Sequence, residues 1–436
     1  MNLDFTPEEQ AFREEARTWL AENLPTEERP PDGQPMREFD LAWQKTLFEG
    51  GWAGINWPKE FGGKGLNDIQ QMIWYEEFAR ADPPFTLNNS CTFVGNNHGG
   101  PTLIVSGTDE QKSFHLPKIL GGEVVWCQGF SEPGAGSDLA GLQTRAERDG
   151  DEWIVNGQKV WTSGAQYSRW GILIARTNPN APKHEGITYF VIDMDQPEVE
   201  VRPLKEMTGG ATFNEVFFTD ARVPHGNVIG EVDRGWSVAV TTLAHERNSL
   251  GASGMAGAAG GAMIGRNDLT RPAGQRSGGG EMAGIAAAFS GGGLVKQLPA
   301  LVGRAEDPVL RDKVMRMYSL LEITRYTSLR VQAAKAAGRG PGPEVSTGKL
   351  VASEMVRQLR DIGLEALGAD GMLVGAETPL GGLIQQLALF RPAISIAGGS
   401  DEIQRNIIGE RVLGLPREPR FDKDLPFSEL KVGTQR

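Results

Sequence analysis

The sequence has little of what would place a protein in a membrane, on nucleic acid or in an oxidising compartment. Only two of its 436 residues are cysteine, Cys91 and Cys127. Neither has a CxxC or metal-type neighbour, so a reduced, cytoplasmic protein without a metal centre is the expectation. No stretch reaches the roughly 18 consecutive apolar residues of a spanning helix. Met1 to Thr6 shows no basic region followed by an apolar run, so no secretory signal is expected. Positive charge is in deficit, and the net charge is −12. A surface of that sign repels phosphates, which argues against a general binder of nucleic acid or anionic membrane. Small phosphate-bearing ligands stay open, because local backbone dipoles bind them whatever the global charge.

What is present suits a globular chain long enough for two or three structural units. Residues 251–294 are dominated by Gly, Ala and Ser, with Gly278-Gly279-Gly280 and Gly291-Gly292-Gly293 near linker composition. That stretch reads as a mobile loop or as an inter-domain linker.

The first 123 residues read as helical. Thr6-Pro7-Glu8-Glu9 is a capping box with proline at the first helical position, followed by Phe12, Ala16, Trp19 and Leu20 at helical spacing. Met72 to Phe78 begins another helix-like run after the Gly62-Gly63-Lys64-Gly65 loop. Over 124–228 the pattern changes to short β-type runs: Val124–Trp126, Trp153–Val155, Gly171–Ile174, Ile187–Ile192 and Val216–Phe218. Asp149-Gly150-Asp151 and Asn156-Gly157 read as turns between them. The spacing suggests a mostly antiparallel β-domain of barrel or sandwich type.

The helical period returns over 229–416. Asp307-Pro308 starts a run with Val314, Met317, Leu321 and Ile323 on its apolar face. Val351, Met355, Leu359, Ile362 and Ala366 repeat every three or four residues up to Gly368. Ser400-Asp401-Glu402 starts a last helix that stops at Gly414, and 417–436 is a tail. The fold class is therefore α+β: a helical domain, a central antiparallel β-domain, then a C-terminal helical bundle.

The densest chemical signal is Gly129-Phe130-Ser131-Glu132-Pro133-Gly134-Ala135-Gly136-Ser137-Asp138. Bare backbone at Gly134 and Gly136 lets a ligand lie directly on the chain, and exposed N–H groups suit phosphates or an electron-rich ring edge. A structural strand-to-turn connection would explain the glycines nearly as well. Further on, Lys159-Val160-Trp161-Thr162-Ser163-Gly164-Ala165 sets an indole beside two hydroxyls. An indole there fills a core or walls a flat ring; with the first motif, it fits an isoalloxazine.

Together these segments resemble the acyl-CoA dehydrogenase family, whose signatures are a T/S-E-P-x-A-G-S-D loop and a K-x-W-x-T/S segment. Gly107–Lys112 with Leu116-Pro117-Lys118, Phe217–Pro224 ending at Gly230, and Ile403–Ile408 match three further family segments in order. The resemblance implies FAD held between the β-domain and the C-terminal helices. By position, Gln128, Phe130 and Ser131 would contact the pyrimidine side, while Trp161 and Ser163 would lie at the ring edge. Ser137 would serve the phosphate-and-pantetheine side of FAD and substrate. Ser400 and Glu402 would approach FAD at a helix start, where unpaired N–H groups favour an anion. It also implies oxidation of an acyl-CoA thioester, transfer of electrons to an electron-transfer flavoprotein, and a dimer or tetramer, homomeric or with a related subunit.

Two departures from the family pattern bear on the chemistry. The carboxylate that removes the α-proton often lies in a Y-E-G-T loop, but here that loop reads Ala397-Gly398-Gly399-Ser400. Some members place it on a helix in an E-R pair, and His245-Glu246-Arg247 stands at the matching place. Glu246 is therefore the expected base, against the plain alternative of a solvated helix residue. Arg247 would face CoA phosphate or pair with an acid, and His245 reads as structural. The R-x-x-F-G segment is absent, and the Q-x-L-G-G-x-G segment appears as Glu365-Ala366-Leu367-Gly368-Ala369-Asp370-Gly371. Small residues at 251–261 and Gly398 would together leave room for a branched or cyclic acyl group, unless the segment is simply a surface loop. A non-catalytic subunit of a heteromer, or a same-fold flavin enzyme with another substrate or acceptor, are the alternative readings.

Overall fold

Local chemistry sets where the first helix begins. In the computed structural model Thr6 Oγ1 accepts from the Glu9 amide at 3.2 Å, and the Glu9 carboxylate accepts from the Thr6 amide at 2.8 Å. Helix α1 (Pro7–Asn23) follows and buries Phe12, Ala16 and Leu20. The structure describes residues 5–27, 29–30, 33–81, 91–250, 299–300, 303–304, 306–336, 345–374, 378–417, 419, 422 and 424–431. The glycine-rich 251–294 stretch lies outside them.

Packing divides the chain into two compact units. One joins residues 1–36, 66–89 and 247–416; the other joins 37–65, 90–246 and 417–436. In chain order α2 (Gln34–Glu49) precedes α3 (Asp68–Arg80), and α5 (Asp109–Leu120) leads towards the sheet; in the first unit, α1 packs on α3. Glu77 is buried there and takes Arg13 Nη1 at 2.7 Å and Arg17 Nε at 2.9 Å, which compensates a charge that could not sit there alone. The C-terminal helices of this unit share one apolar core. Leu310, Met317, Val356, Leu359, Leu383 and Ile384 are its most buried members. Its 345–367 helix buries the expected Met355, Leu359, Ile362 and Ala366, and Gly368 closes it with φ +56. Ile323, expected on the apolar face of the 308–336 helix, is instead exposed, whereas Val314 and Met317 are buried.

The second unit is built on an eight-stranded sheet. Its strands are β1 (Trp126–Gly129), β2 (Arg145–Asp149), β3 (Glu152–Lys159), β4 (Trp170–Arg176), β5 (Ile187–Asp193), β6 (Val199–Pro203), β7 (Asn214–Pro224) and β8 (Val228–Ile229). The order is β6-β7-β3-β2-β4-β5-β8, with β1 beside β4. Pairing is antiparallel except for β1 and β2 against β4. Asn156-Gly157, expected as a turn, is a bulge within β3 where the register on β7 slips. Gly157 is required there: a Cβ would lie 2.5 Å from Thr144 Oγ1.

Three helical features of this unit position the site. A π-turn (Gly95–Gly99) runs into α4 (Gly100–Ser106), and α6 (Gly235–Leu250) leaves β8. A Cβ at Gly99 would sit 3.0 Å from the Trp126 ring, so glycine lets the π-turn lie directly on β1, and one at Gly100 would sit only 2.0 Å from the Trp57 ring. Helix α6 starts at Gly235, where a Cβ would lie 2.4 Å from the Tyr189 amide of β5. Its Thr242 Oγ1 bonds Thr102 Oγ1 at 2.8 Å and Tyr189 Oη at 3.0 Å, all buried. The chain's last segment also docks on this unit, with the Phe427 amide donating to Ala181 O at 2.9 Å. No helix among the described residues is long and apolar enough to cross a membrane.

Candidate active site

The two signature segments are bonded to each other. Lys159, at the end of β3, is fully buried; its Nζ donates to Phe130 O at 3.1 Å and to Glu132 Oε1 at 2.8 Å. The Val160 amide donates to Ser131 O at 2.9 Å. Glu132 in turn accepts the Gln143 and Thr144 amides at 2.7 and 2.9 Å, closing the loop on itself. Burial alone would push the Glu132 carboxyl up, but the Lys159 charge and these donors outweigh it and hold it below its ordinary value. Arg176 fixes the loop's far end, donating to Ala140 O at 2.7 Å. Glu132 and Lys159 thus give the two motifs their shared geometry. Both were in plain view as the E and K of the signatures, but only their contact reveals the role.

Within this clamp the expected ligand-facing residues stand out. Ser137, Gly134 and Gly136 are exposed, and a Cβ on Gly136 would meet nothing within 4 Å. The bare backbone at Gly136 is therefore open to the approach of a ligand. Phe130 is buried edge-on against Tyr189, so a ligand would meet its backbone rather than its ring. Trp161 has φ +61, a conformation costly for a bulky side chain, and its indole is 58% exposed and meets the Phe213 ring at right angles. A strained, exposed indole next to the half-buried Ser163 is what a flat aromatic ring would cover. These features fit a flavin.

On the same strand that leads into the loop, Gln128 has partners on both sides. Its Oε1 lies 2.8 Å from His98 Nδ1 on the π-turn, and its Nε2 donates to Glu246 Oε2 at 3.2 Å on α6. Glu246 stands one turn beyond the pinned Thr242, so its helix is anchored where the carboxylate is presented. Burial pushes the imidazole of His98 below its ordinary value, against the opposing effects of Glu246 and Gln128. His245 is also pushed down, by burial and by His98. His98 carries no sequence motif; its glycine-flanked position was the only signal.

The remaining expected residues lie in the other unit. Ser400 caps the Asp401–Ile407 helix, its Oγ accepting the Ile403 amide at 3.3 Å, and Glu402 is exposed beside Arg405 at 3.3 Å. Gly398, in the place of the family's loop glutamate, has φ +67. Arg247 follows Glu246 on α6, and its side chain is outside the described residues. Among the described residues no cluster could hold a metal ion.

A helical N-terminal region, a β-domain clamping an exposed indole, and C-terminal helices define an acyl-CoA-oxidising flavoprotein class. Models of the acyl-CoA dehydrogenase N-terminal, middle and C-terminal domains match residues 6–123, 127–221 and 299–413. The chain belongs to the acyl-CoA dehydrogenase family, oxidoreductases acting on CH–CH groups, whose members typically bind FAD. It is 39% identical over 420 residues to the acyl-CoA dehydrogenase IpdE1 of Mycobacterium tuberculosis, covering 94% of this chain and 98% of that protein. Among solved structures, the Tcur3481-Tcur3483 steroid ACAD is similar with a TM-score of 0.73 at 32% identity, covering 96% of this chain and 100% of that one. The ChsE4-ChsE5 complex from Mycobacterium tuberculosis is similar with a TM-score of 0.74 at 29% identity, covering 96% and 100%.

Proposed function

We propose that the chain catalyses FAD-dependent α,β-dehydrogenation of a ring-bearing acyl-CoA thioester to its trans-2-enoyl form, with Glu246 as the base and an electron-transfer flavoprotein as electron acceptor. The observation that carries this reading is the Glu246 carboxylate held by the Gln128 amide, on the strand that runs into the clamped signature loop. Bound FAD would supply the acceptor for hydride from the β-carbon. Ser131 and Gln128 would border its pyrimidine side, Trp161 and Ser163 its ring edge, and Ser400 and Glu402 its anionic part. Ser137 and Arg247 would serve the CoA side. Glu246 would take the α-proton, an act that needs a fixed carboxylate within reach of one carbon.

The ring-bearing substrate rests on the similarity to a steroid ACAD. A mixed assembly with a related subunit is favoured over a homomer, because both similar structures bear the names of two components. Glu246→Gln tests the base. It should keep FAD and acyl-CoA binding and lose flavin reduction by at least ~100-fold, the lower range for a general base. Reduction near the wild-type rate would remove Glu246 from the mechanism. Comparison of kcat/KM for straight, branched and ring-bearing thioesters tests the substrate class, and a clear preference for short straight chains would sink it.

A further inference from the structure

The bonds through His98, Gln128 and Glu246 have a direction that hydrogen-bond chemistry dictates. A carboxylate only accepts, so the Gln128 group facing Glu246 is its NH2, and the amide oxygen faces His98. An amide oxygen also only accepts, so His98 Nδ1 carries a proton. The other ring nitrogen, Nε2, is buried with no hydrogen-bond partner among the described residues, and His98 is 5% exposed. A proton on Nε2 would be an unpaired buried donor, whereas a bare lone pair costs less. The neutral Nδ1–H tautomer is the one that leaves no buried ring N–H unpaired. Burial pushes the His98 imidazole toward its neutral form, in keeping with this tautomer.

Without that donor the Gln128 amide has two orientations, and one of them points its oxygen at the Glu246 carboxylate. We infer that His98 is a positioning residue for the base, acting through Gln128: its Nδ1–H locks the amide so that Gln128 presents an N–H to Glu246 and fixes the carboxylate's direction. The inference rests on Glu246 being the base. It also gives the π-turn a purpose, since Gly99 lets the turn that carries His98 pack against Trp126 of β1, two residues from Gln128.

The test uses the full chain in its native assembly, loaded with FAD. His98→Leu should slow flavin reduction by roughly 10- to 100-fold, the scale expected for misplacing a catalytic group. Its FAD content and its Kd for acyl-CoA should stay near wild type. His98→Asn, which keeps an N–H near the Nδ1 position, should recover most of the rate. Gln128→Leu should slow reduction at least as much as His98→Leu, and adding His98→Leu to it should cost nothing further, because both break the same link. The sequence has five histidines. The 15N-histidine spectrum of the unreduced protein should therefore show His98, identified by its loss in His98→Asn, as the neutral Nδ1–H tautomer.

Reduction by His98→Leu within about twofold of wild type would overturn the inference, as would an Nε2–H or charged His98 at neutral pH. If His98→Leu does not fold, unaltered reduction in Gln128→Leu overturns it instead. Failure of this link and failure of the base are distinguishable. An inactive Glu246→Gln beside an active His98→Leu sinks only the link, while an active Glu246→Gln sinks the base assignment.

Discussion

Removing the Lys159 ammonium should unsettle the flavin side of the molecule more than any exposed substitution. Lys159 is 0% exposed, Glu132 is 8% exposed, and their contact is 2.8 Å. Lys159→Met keeps most of the side-chain volume but leaves a buried carboxylate without its counter-charge, and leaves Phe130 O without a donor. Breaking a buried pair in this one-sided way costs about 3–5 kcal/mol. The pH dependence follows from the direction of the Glu132 shift. Its folded value is depressed, so its stabilisation is complete above the unfolded value near 4.5 and is lost as pH falls through the folded value. In Lys159→Met burial dominates, the folded value rises, and protonation relieves the penalty. The stability gap to wild type should therefore be widest near neutrality and narrow towards pH 4.5. Urea unfolding at both pH values, extrapolated linearly to water, measures the gap. Lys159→Met/Glu132→Gln should regain part of the loss, because the uncompensated charge is gone. A gap below about 1 kcal/mol near neutrality, within the range of an exposed pair, would refute the reasoning.

Other consequences can be checked in the same way. Trp161→Ala should weaken FAD retention by more than about tenfold and change its absorption. It should lower urea stability by under about 1.5 kcal/mol, since most of the indole is exposed in the chain itself. Gly136→Ala should leave stability within about 0.5 kcal/mol of wild type, because its Cβ would meet open space, yet weaken FAD binding in a fluorescence titration. Gly398→Ala should cost about 1–2 kcal/mol in urea melts from its left-handed backbone. For the same reason Gly398→Glu should fail to restore flavin reduction in a Glu246→Gln background.

Much of the fold was legible because its signals are local. The Thr6 box, the Asp307 cap, whose Oδ1 accepts the Val309 and Leu310 amides, and the 345–367 periodicity each involve residues within a few positions of one another. Strands β4 and β5 were legible because they are buried along nearly their whole length. Strand β2, Arg-Ala-Glu-Arg-Asp, was not: only Ala146 is buried, so it carries no apolar alternation. The sheet order was also out of reach, since β3 pairs with β7 across more than 50 intervening residues and composition does not encode that choice. Asn156-Gly157 misled because a bulge and a turn ask the same thing of glycine.

The site divides along the same line. The two signatures declared themselves, since each is a continuous run of unusual residues. Glu246 was found only by its resemblance to the helix-borne bases of the family, and His98 not at all. A lone histidine has no pattern until β1 sets Gln128 opposite it. A base carried on a helix rather than in a loop, as proposed for Glu246, would have a structural consequence. A loop glutamate beside a helix start has backbone donors at hand, whereas a helix interior has already spent its amides on the preceding turn. A carboxylate on α6 must therefore draw its orientation from a side chain on another element. Gln128 on β1 provides that, and a hydrogen-bonding side chain can turn, so it needs a partner of its own. If Glu246 is the base, such a third residue is expected, and its identity is open to any buried donor that satisfies an amide oxygen.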